Sequence, residues 1–298
     1  MVLPTAGSYV VAVSGGVDSM ALLHLLREQA SKDKTWKLVV AHLDHGIRED
    51  SAEDRKLVQS AANGYRLPFV YHEARLGPGT SEAEARQARY DFLRSVQRAS
   101  RSRAIITAHH QDDLLETAII NLLRGTGRKG LTALSSREET LRPALGVTKS
   151  ALLAYARENN LMWREDITNQ NTIYLRNYVR HKLLPRFSKT DIAKLITIVT
   201  KSAATNQALD SLLANLLKPM IKAGRIDRQW FNGLPHNVAR EVLAAWLRAF
   251  GIRDFDRKAL ERLVVAAKVA AAGKIFPVMR DCVLVVNVDN LALSGAER

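Results

Sequence analysis

Through the first half of the chain, short β-branched runs alternate with helical patterns, and that alternation leaves few folds open. Tyr9–Val13, Leu38–Leu43, Phe69–His72 and Ala104–Thr107 read as strands. Between and after them, Val17–Gln29, Ser51–Arg66, Ser81–Ala99 and Asp112–Arg124 read as helices, with Ser81 and Glu84 at capping-box spacing. Units of this kind close as right-handed crossovers, so the pattern predicts an α/β fold: a parallel sheet with helices on both faces. Ligands of such sheets bind beyond the carboxyl ends of the strands. The segments there are Ser14–Ser19, His42–Arg48 and His109–Thr117.

The second half reads differently. After the glycine-rich, basic stretch Gly125–Gly130, Lys149–Asn159 and Asn171–Lys182 are expected to be helical. Beyond Pro185, apolar residues such as Leu209, Leu212, Leu213, Leu216 and Leu217 recur at helical spacing, and Lys274–Val288 reads as a hairpin turning near Arg280–Asp281. The 298 residues suit about two domains. The expected division is 1–188, the nucleotide-binding domain, and 189–298, a smaller, mainly helical domain ending in a β-hairpin. Charge divides in a similar way. Residues 1–100 hold 13 basic and 12 acidic side chains, whereas 101–298 hold 31 and 18. A neutral part joined to a basic part fits a small ligand on one and a nucleic acid on the other, the competing reading being a basic surface with no dedicated partner.

A single cysteine, Cys282, excludes an intramolecular disulfide framework, a Cys-rich zinc site and a two-cysteine redox relay; it is expected to be a small buried apolar residue. The start of the chain lacks the pattern of a signal peptide, and no uncharged apolar run reaches 18 residues, so a cytoplasmic location away from membranes is expected. Trp163, Trp230 and Trp246 are expected in cores, and His24 as a packing histidine.

Ser14-Gly15-Gly16-Val17-Asp18-Ser19 sits between a strand and a helix. Two glycines let the backbone approach an anion, and a helix N-terminus supplies unpaired N–H groups and partial positive charge. Ser14 and Ser19 add hydroxyls. The Gly-Lys-Ser/Thr of the kinase-type loop is absent, so no lysine follows a transferring γ-phosphate. A loop that grips pyrophosphate, with Asp18 to hold Mg²⁺, suits transfer of a nucleotidyl group. A plain glycine turn would explain the glycines but neither the serines nor Asp18.

This loop resembles the signature of the N-type ATP pyrophosphatases, the PP-loop superfamily. Further segments narrow the likeness: His42-Leu43-Asp44-His45-Gly46-Ile47-Arg48, Glu84–Tyr90, His109–Thr117, Leu123–Gly127, Arg142-Pro143, Trp163-Arg164-Glu165-Asp166 with Asn169, and Tyr174–Arg180. In this order they resemble the catalytic domain of the tRNA(Ile)-lysidine synthase family over about residues 8–186. The rest is only loosely similar to that family's tRNA-binding region, and the chain reads as a short form without the long extra C-terminal domain of many members.

The resemblance implies ATP as co-substrate with Mg²⁺, held by Ser14, Gly15, Gly16, Val17, Asp18, Ser19, His42 and His109, with Asp18 and Asp44 as metal ligands. The four histidines 42, 45, 109 and 110 lack metal-site spacing and read better as polar groups of the ATP pocket. Asp113 and Glu116, one helical turn apart, are implied to bind the ammonium of free L-lysine, and Asp18, Asp44, Asp113 and Glu116 form the implied catalytic set. The bland reading of that pair is a solvated acidic helix start. Arg86, Arg124, Arg142, Arg176 and Arg180 are expected to touch tRNA or phosphate, solvated faces being the alternative.

The implied reaction ligates lysine to carbon 2 of the wobble cytidine in a CAU-anticodon isoleucine tRNA, through an adenylated tRNA. Two other functions compete. Other pyrophosphatases are disfavoured, because thiolases need cysteines to carry sulfur and ammonia-dependent NAD synthesis leaves the basic second half unexplained. A non-catalytic, ATP-gated tRNA-binding module would not need Asp113 and Glu116. The short helical second half is compatible with a homodimer.

Overall fold

The computed structural model describes residues 1–46, 51–77, 79–136, 139–165, 175–252 and 255–295. The expected segments containing Ile47, Arg48, Asp166, Asn169 and Asn171–Tyr174 lie partly outside these residues. The chain divides into two compact units, Met1–Ala203 and Ala204–Arg298. The expected division at 188/189 instead coincides with the start of a 35-residue helix, within which the two units meet in sequence.

In the first unit the strands are β1 (Ser8–Ala12), β2 (Lys37–Asp44), β3 (Phe69–Glu73), β4 (Ala104–Ile106) and β5 (Thr140–Leu141). All pair in parallel, in the order β3-β2-β1-β4-β5. The helices are α1 (Val17–Lys32), α2 (Ser51–Gly64), α3 (Glu82–Ala99), α4 (Gln111–Leu123), α5 (Arg128–Leu131), α6 (Lys149–Glu158) and α7 (Leu175–Tyr178). Side chains alternate along a strand, so β1 feeds two cores. Tyr9 and Val11 pack with Leu22, Leu23 and Leu26 of α1 and Val58 and Ala62 of α2, while Val10 packs with Leu93 and Val96 of α3. Helices on both faces make the three central residues of β1 fully buried, which is why that strand reads as an uninterrupted apolar run. The capping box of α3 forms as its spacing predicts: Glu84 N–H donates to Ser81 Oγ (3.2 Å) and Ser81 N–H to Glu84 Oε2 (3.0 Å).

Strand order turns around between β1 and β4. Beyond β1 the chain steps outward through β2 and β3, and on returning it steps the other way through β4 and β5. Such a switch point opens a crevice at the carboxyl ends of the two central strands. Both the Ser14–Ser19 loop and the His109–Glu116 segment leave from there. After α7 the helix continues as a π turn, Val179–Leu183, and a 3₁₀ turn, Leu184–Arg186.

Helix α8 (Lys189–Ala223) is followed by the remainder of the second unit: β6 (Arg225–Asp227), α9 (Arg228–Gly233), α10 (His236–Ala249), α11 (Arg257–Val269), β7 (Lys274–Met279), β8 (Cys282–Val286) and β9 (Asn290–Ser294). Ala239, Val242, Leu243, Trp246 and Leu247 form the apolar stripe of α10, packed with Leu260, Leu263 and Val264 of α11 and with Leu284 and Val286 of β8. The expected terminal hairpin is β7–β8, but it belongs to a four-stranded antiparallel sheet, β6-β9-β8-β7. The correction has a simple cause: β6 has only three residues, and its partner β9 lies more than sixty residues further along the chain. Cys282 is buried in this core, and burial raises its thiol pKa. Among the described residues, no helix is long and apolar enough to cross a membrane.

Candidate functional site

The loop after β1 owes its shape to glycine. Gly15 has φ +94, in the region that side-chain-bearing residues avoid. Gly16 caps α1 with extended backbone, and no side chain closes the helix end, so the first N–H groups of α1 face the crevice unpaired by a cap. Within the loop, Ser19 Oγ donates to the Gly16 carbonyl (2.9 Å) and lies 3.2 Å from Ser14 Oγ, while Ser14 N–H donates to Ser19 Oγ (3.2 Å). The two serines therefore shape the loop as well as lining it. Val17 is buried against α6, in a cluster with Ala21, Ala144 and Leu152.

Asp18, in the first turn of α1, has Oδ1 buried with no hydrogen-bond partner among the described residues. Its Oδ2 lies 3.5 Å from His110 Nε2, and that nitrogen lies 3.4 Å from Asp113 Oδ2. Burial opposes charge on the His110 ring, but the Asp18 contact and the charges of Asp113, Asp18 and Asp112 outweigh it, and its pKa rises above the usual histidine value. His110 backbone N–H also donates to Asp113 Oδ2 (3.0 Å) at the start of α4. A magnesium ion commonly uses one or two carboxylates and completes its shell with water and substrate phosphate. The unpartnered Asp18 oxygen, in the first turn of a helix whose N-terminus no side chain caps, fits that pattern. Asp44 is buried at the end of β2, where its Oδ1 accepts the Gly46 N–H (2.9 Å). Among the described residues, no three His, Cys, Asp or Glu gather into a cage of protein ligands alone.

Of the remaining histidines, His42 is buried, with Nδ1 2.8 Å from the Val13 carbonyl, and burial lowers its pKa. His45 Nε2 lies 3.0 Å from an Arg89 guanidinium nitrogen; burial and then the Arg89 charge push its pKa down to about 4. His109 shares a hydrogen bond with Thr107 (2.8 Å), and burial holds it well below the usual histidine range, with the nearby arginines 142, 86 and 176 adding to the effect. His24 lies apart from these, bonded to the Tyr155 hydroxyl (2.8 Å) in its expected packing role.

The acidic pair is less open than its spacing implies. Glu116 has no exposed surface and is gripped by two arginines from the α7 segment. Arg176 Nε donates to Glu116 Oε2 (3.0 Å), and Arg180 donates to both oxygens, from Nε (2.6 Å) and Nη2 (2.9 Å). Asp113 Oδ1 completes the cluster, 3.4 Å from Arg180 and 3.7 Å from Arg176. Burial alone would lower both arginine pKa values; Asp113 and Glu116 reverse that and raise them. Arg176 and Arg180, read from sequence as phosphate or tRNA contacts, are thus committed to carboxylates in this state.

Asp113 carries a pH consequence. Burial raises its pKa, but the His110 charge, the His110 N–H, His109 and Arg176 outweigh burial, and it falls below the usual carboxylate value. A depressed folded pKa contributes stability that is present above about pH 4, the unfolded value, and is lost as pH falls through the folded value. Asp113→Asn is therefore expected to flatten the loss of stability as pH falls below about 4, measured by urea unfolding at each pH.

Arg86 and Arg142 meet at Tyr90. Arg86 stacks over the ring (4.8 Å), and Arg142 Nη2 donates to the hydroxyl (3.3 Å) while its Nη1 holds the Ser135 carbonyl (2.8 Å). Arg124 ends α4 with an exposed side chain, and no described contact draws it to the crevice.

Two residues that the sequence reading passed over frame the loop: Asp54 on α2 and Arg164, 2.8 Å apart. Arg164 stood inside a quoted segment without a role, and Asp54 sits in an ordinary polar helix start that gives no signal.

Residues 4–187 match the family model described as a PP-loop domain. A tRNA(Ile)-lysidine synthase of Gloeobacter violaceus is 32% identical over 255 residues, which cover 82% of this chain and 78% of that protein. The chain belongs to the PP-loop family, in its tRNA(Ile)-lysidine synthase group. The tRNA(Ile)-lysidine synthase of Thermotoga maritima is 42% identical over 183 residues, 59% of this chain and 44% of that relative, so the chain matches less than half of its length. The fold of this PP-loop chain is also similar to a U34-tRNA thiolase of Methanococcus maripaludis, with a TM-score of 0.56 at 14% identity, over 67% of this chain and 73% of that one.

Proposed function

We propose that the chain ligates lysine to carbon 2 of the wobble cytidine in a CAU-anticodon isoleucine tRNA, using ATP. The cytidine O2 attacks the α-phosphorus and pyrophosphate leaves; the lysine ε-amine then attacks carbon 2 and AMP departs with O2. Adenylation turns a poor leaving oxygen into a good one. The observation that carries the reading is His110, whose imidazole lies within 3.5 Å of both Asp18, on the anion-binding helix, and Asp113, on the acidic helix. The nucleotide end and the amine end of one crevice are thereby neighbours, as near-attack geometry demands.

In this reading the first N–H groups of α1, with Ser14 and Ser19, receive the pyrophosphate, and His42 and His109 face the nucleotide. Asp18, with Asp44 nearby in function, holds the magnesium ion, which neutralises charge on the phosphates. Lysine docks its ammonium at Asp113 with Glu116 behind it, and one of this pair or a neighbouring group accepts the proton before attack. For Arg176 and Arg180 to touch phosphate, they exchange carboxylate for phosphate oxygens. Arg142, expected to touch tRNA or phosphate, is instead buried and bonded to Tyr90 and Ser135, so the other basic residues of 101–298, including the exposed Arg124, supply the charge for tRNA. A cytoplasmic, membrane-free setting fits this substrate, and a homodimer fits the short helical second unit.

The test is incubation with unmodified CAU-anticodon tRNA, ATP, Mg²⁺ and labelled lysine. The expected result is tRNA-linked label with one AMP and one pyrophosphate per lysine. No label on tRNA, with thiolation or NAD formation instead, would overturn the reading.

A further inference from the structure

Gly15 is held from two sides by segments distant in sequence. On one side its carbonyl accepts the Arg164 N–H at 3.0 Å. On the other, a Cβ at Gly15 would lie 3.4 Å from Asp54 Cβ and 3.7 Å from Asp54 Cα, so the first turn of α2 packs directly against the loop. The two walls are joined by an ion pair, Arg164 Nε to Asp54 Oδ1 at 2.8 Å, whose carboxylate is buried. Behind Arg164, the Trp163 ring packs into both the β1–α1–α2 core and the α1–α6 core, anchoring the segment.

From this the geometry points to Asp54 and Arg164 as positioning residues for the phosphate-binding loop: their ion pair clamps the Gly15 peptide so that the first N–H groups of α1 face an incoming polyphosphate. The inference rests on the ATP reading above and adds two residues to it. A loop with φ +94 at its centre gains its geometry from surroundings that over-determine it, since no side chain of its own restrains Gly15. Asp54 and Arg164 supply that restraint. Neither touches the ligand; they act through the backbone of residue 15. Losing either one releases the clamp, so losing both costs little more than losing one.

The test is a double-mutant cycle, Asp54→Asn, Arg164→Gln and the pair together, in the full chain. MgATP and inorganic pyrophosphate affinity are measured by calorimetry, tRNA affinity by filter binding and stability by thermal unfolding. Each single variant is expected to weaken ATP and pyrophosphate binding about tenfold, with the double variant no weaker than about either single. Arg164→Lys, which keeps the charge and the backbone N–H, is expected to recover most of the affinity. The thermal midpoint should fall in each single variant, since the buried pair is broken, while tRNA affinity stays near wild type. Unchanged ATP affinity in the single variants, additive losses in the double, or an equal fall in tRNA binding would each overturn the positioning role. Wild-type protein that binds no MgATP would instead overturn the ATP reading, and this inference with it.

Discussion

Replacing Gly15 by valine is expected to lower kcat/KM for ATP by about two orders of magnitude, because misplacing a binding loop by an ångström costs that much. Two effects add. Residue 15 has φ +94, which a β-branched residue adopts only with strain, and a Cβ there already contacts Asp54 at 3.4 Å before any methyl is added. The loop must move, and the N–H groups of α1 move with it. Gly16→Ala is the matched control. Gly16 has an ordinary φ of −75, and an added methyl would meet only Ser14 Oγ at 3.6 Å and the Arg164 carbonyl at 4.0 Å. It should cost far less. Steady-state release of AMP from both variants, with circular dichroism as a check on folding, separates the outcomes; equal losses would remove the special role of residue 15.

Glu116→Ala is expected to destabilise the protein by about 3 kcal/mol and to abolish transfer of lysine. Glu116 is fully buried and takes three donated hydrogen bonds from Arg176 and Arg180, whose side chains are only 26% and 21% exposed. Without the carboxylate, two guanidinium groups face each other beside Asp113, which then serves both. Breaking a buried pair costs far more than the pair itself contributes, since it leaves charge uncompensated. The triple change Glu116→Leu with Arg176→Met and Arg180→Met is accordingly expected to recover stability in urea while leaving lysine transfer absent. Recovery of both would show that the cluster has no part in the reaction. A Glu116→Ala variant as stable as wild type would contradict the buried geometry.

Local pattern and non-local pairing account for what could be read before the fold was known. Strands β1, β2 and β4 are β-branched runs buried on both faces, and the α3 capping box is a spacing of three, so both were legible. Strand β5, two residues long, carries no periodicity, yet Thr140 and Leu141 extend the sheet beside β4. The Ser14–Ser19 loop was legible as a glycine turn into a helix, since Gly15 takes φ +94 and Gly16 caps α1. The state of Glu116 was not legible. Asp113 and Glu116 share a helix face by spacing alone, which suggests an open pair, whereas the arginines that close it come from the α7 segment sixty residues later. Asp54 was hidden for the same reason: its meaning lies in its neighbours Gly15 and Arg164.

The register of the central strands also sets the order of events on the way to a working protein. Tyr9 pairs with Ala104, and Gly15 is bonded to Arg164, so the crevice is made of the first and last parts of its unit. Contacts this far apart in sequence are slow to close. A nascent chain that has released only β1 to β3 from the ribosome holds the glycine loop and Asp54 but neither helix α4 nor the Arg164 backstop. Synthesis must pass Arg164 before the loop has its finished shape, which gives growing chains a long interval without ligand protection.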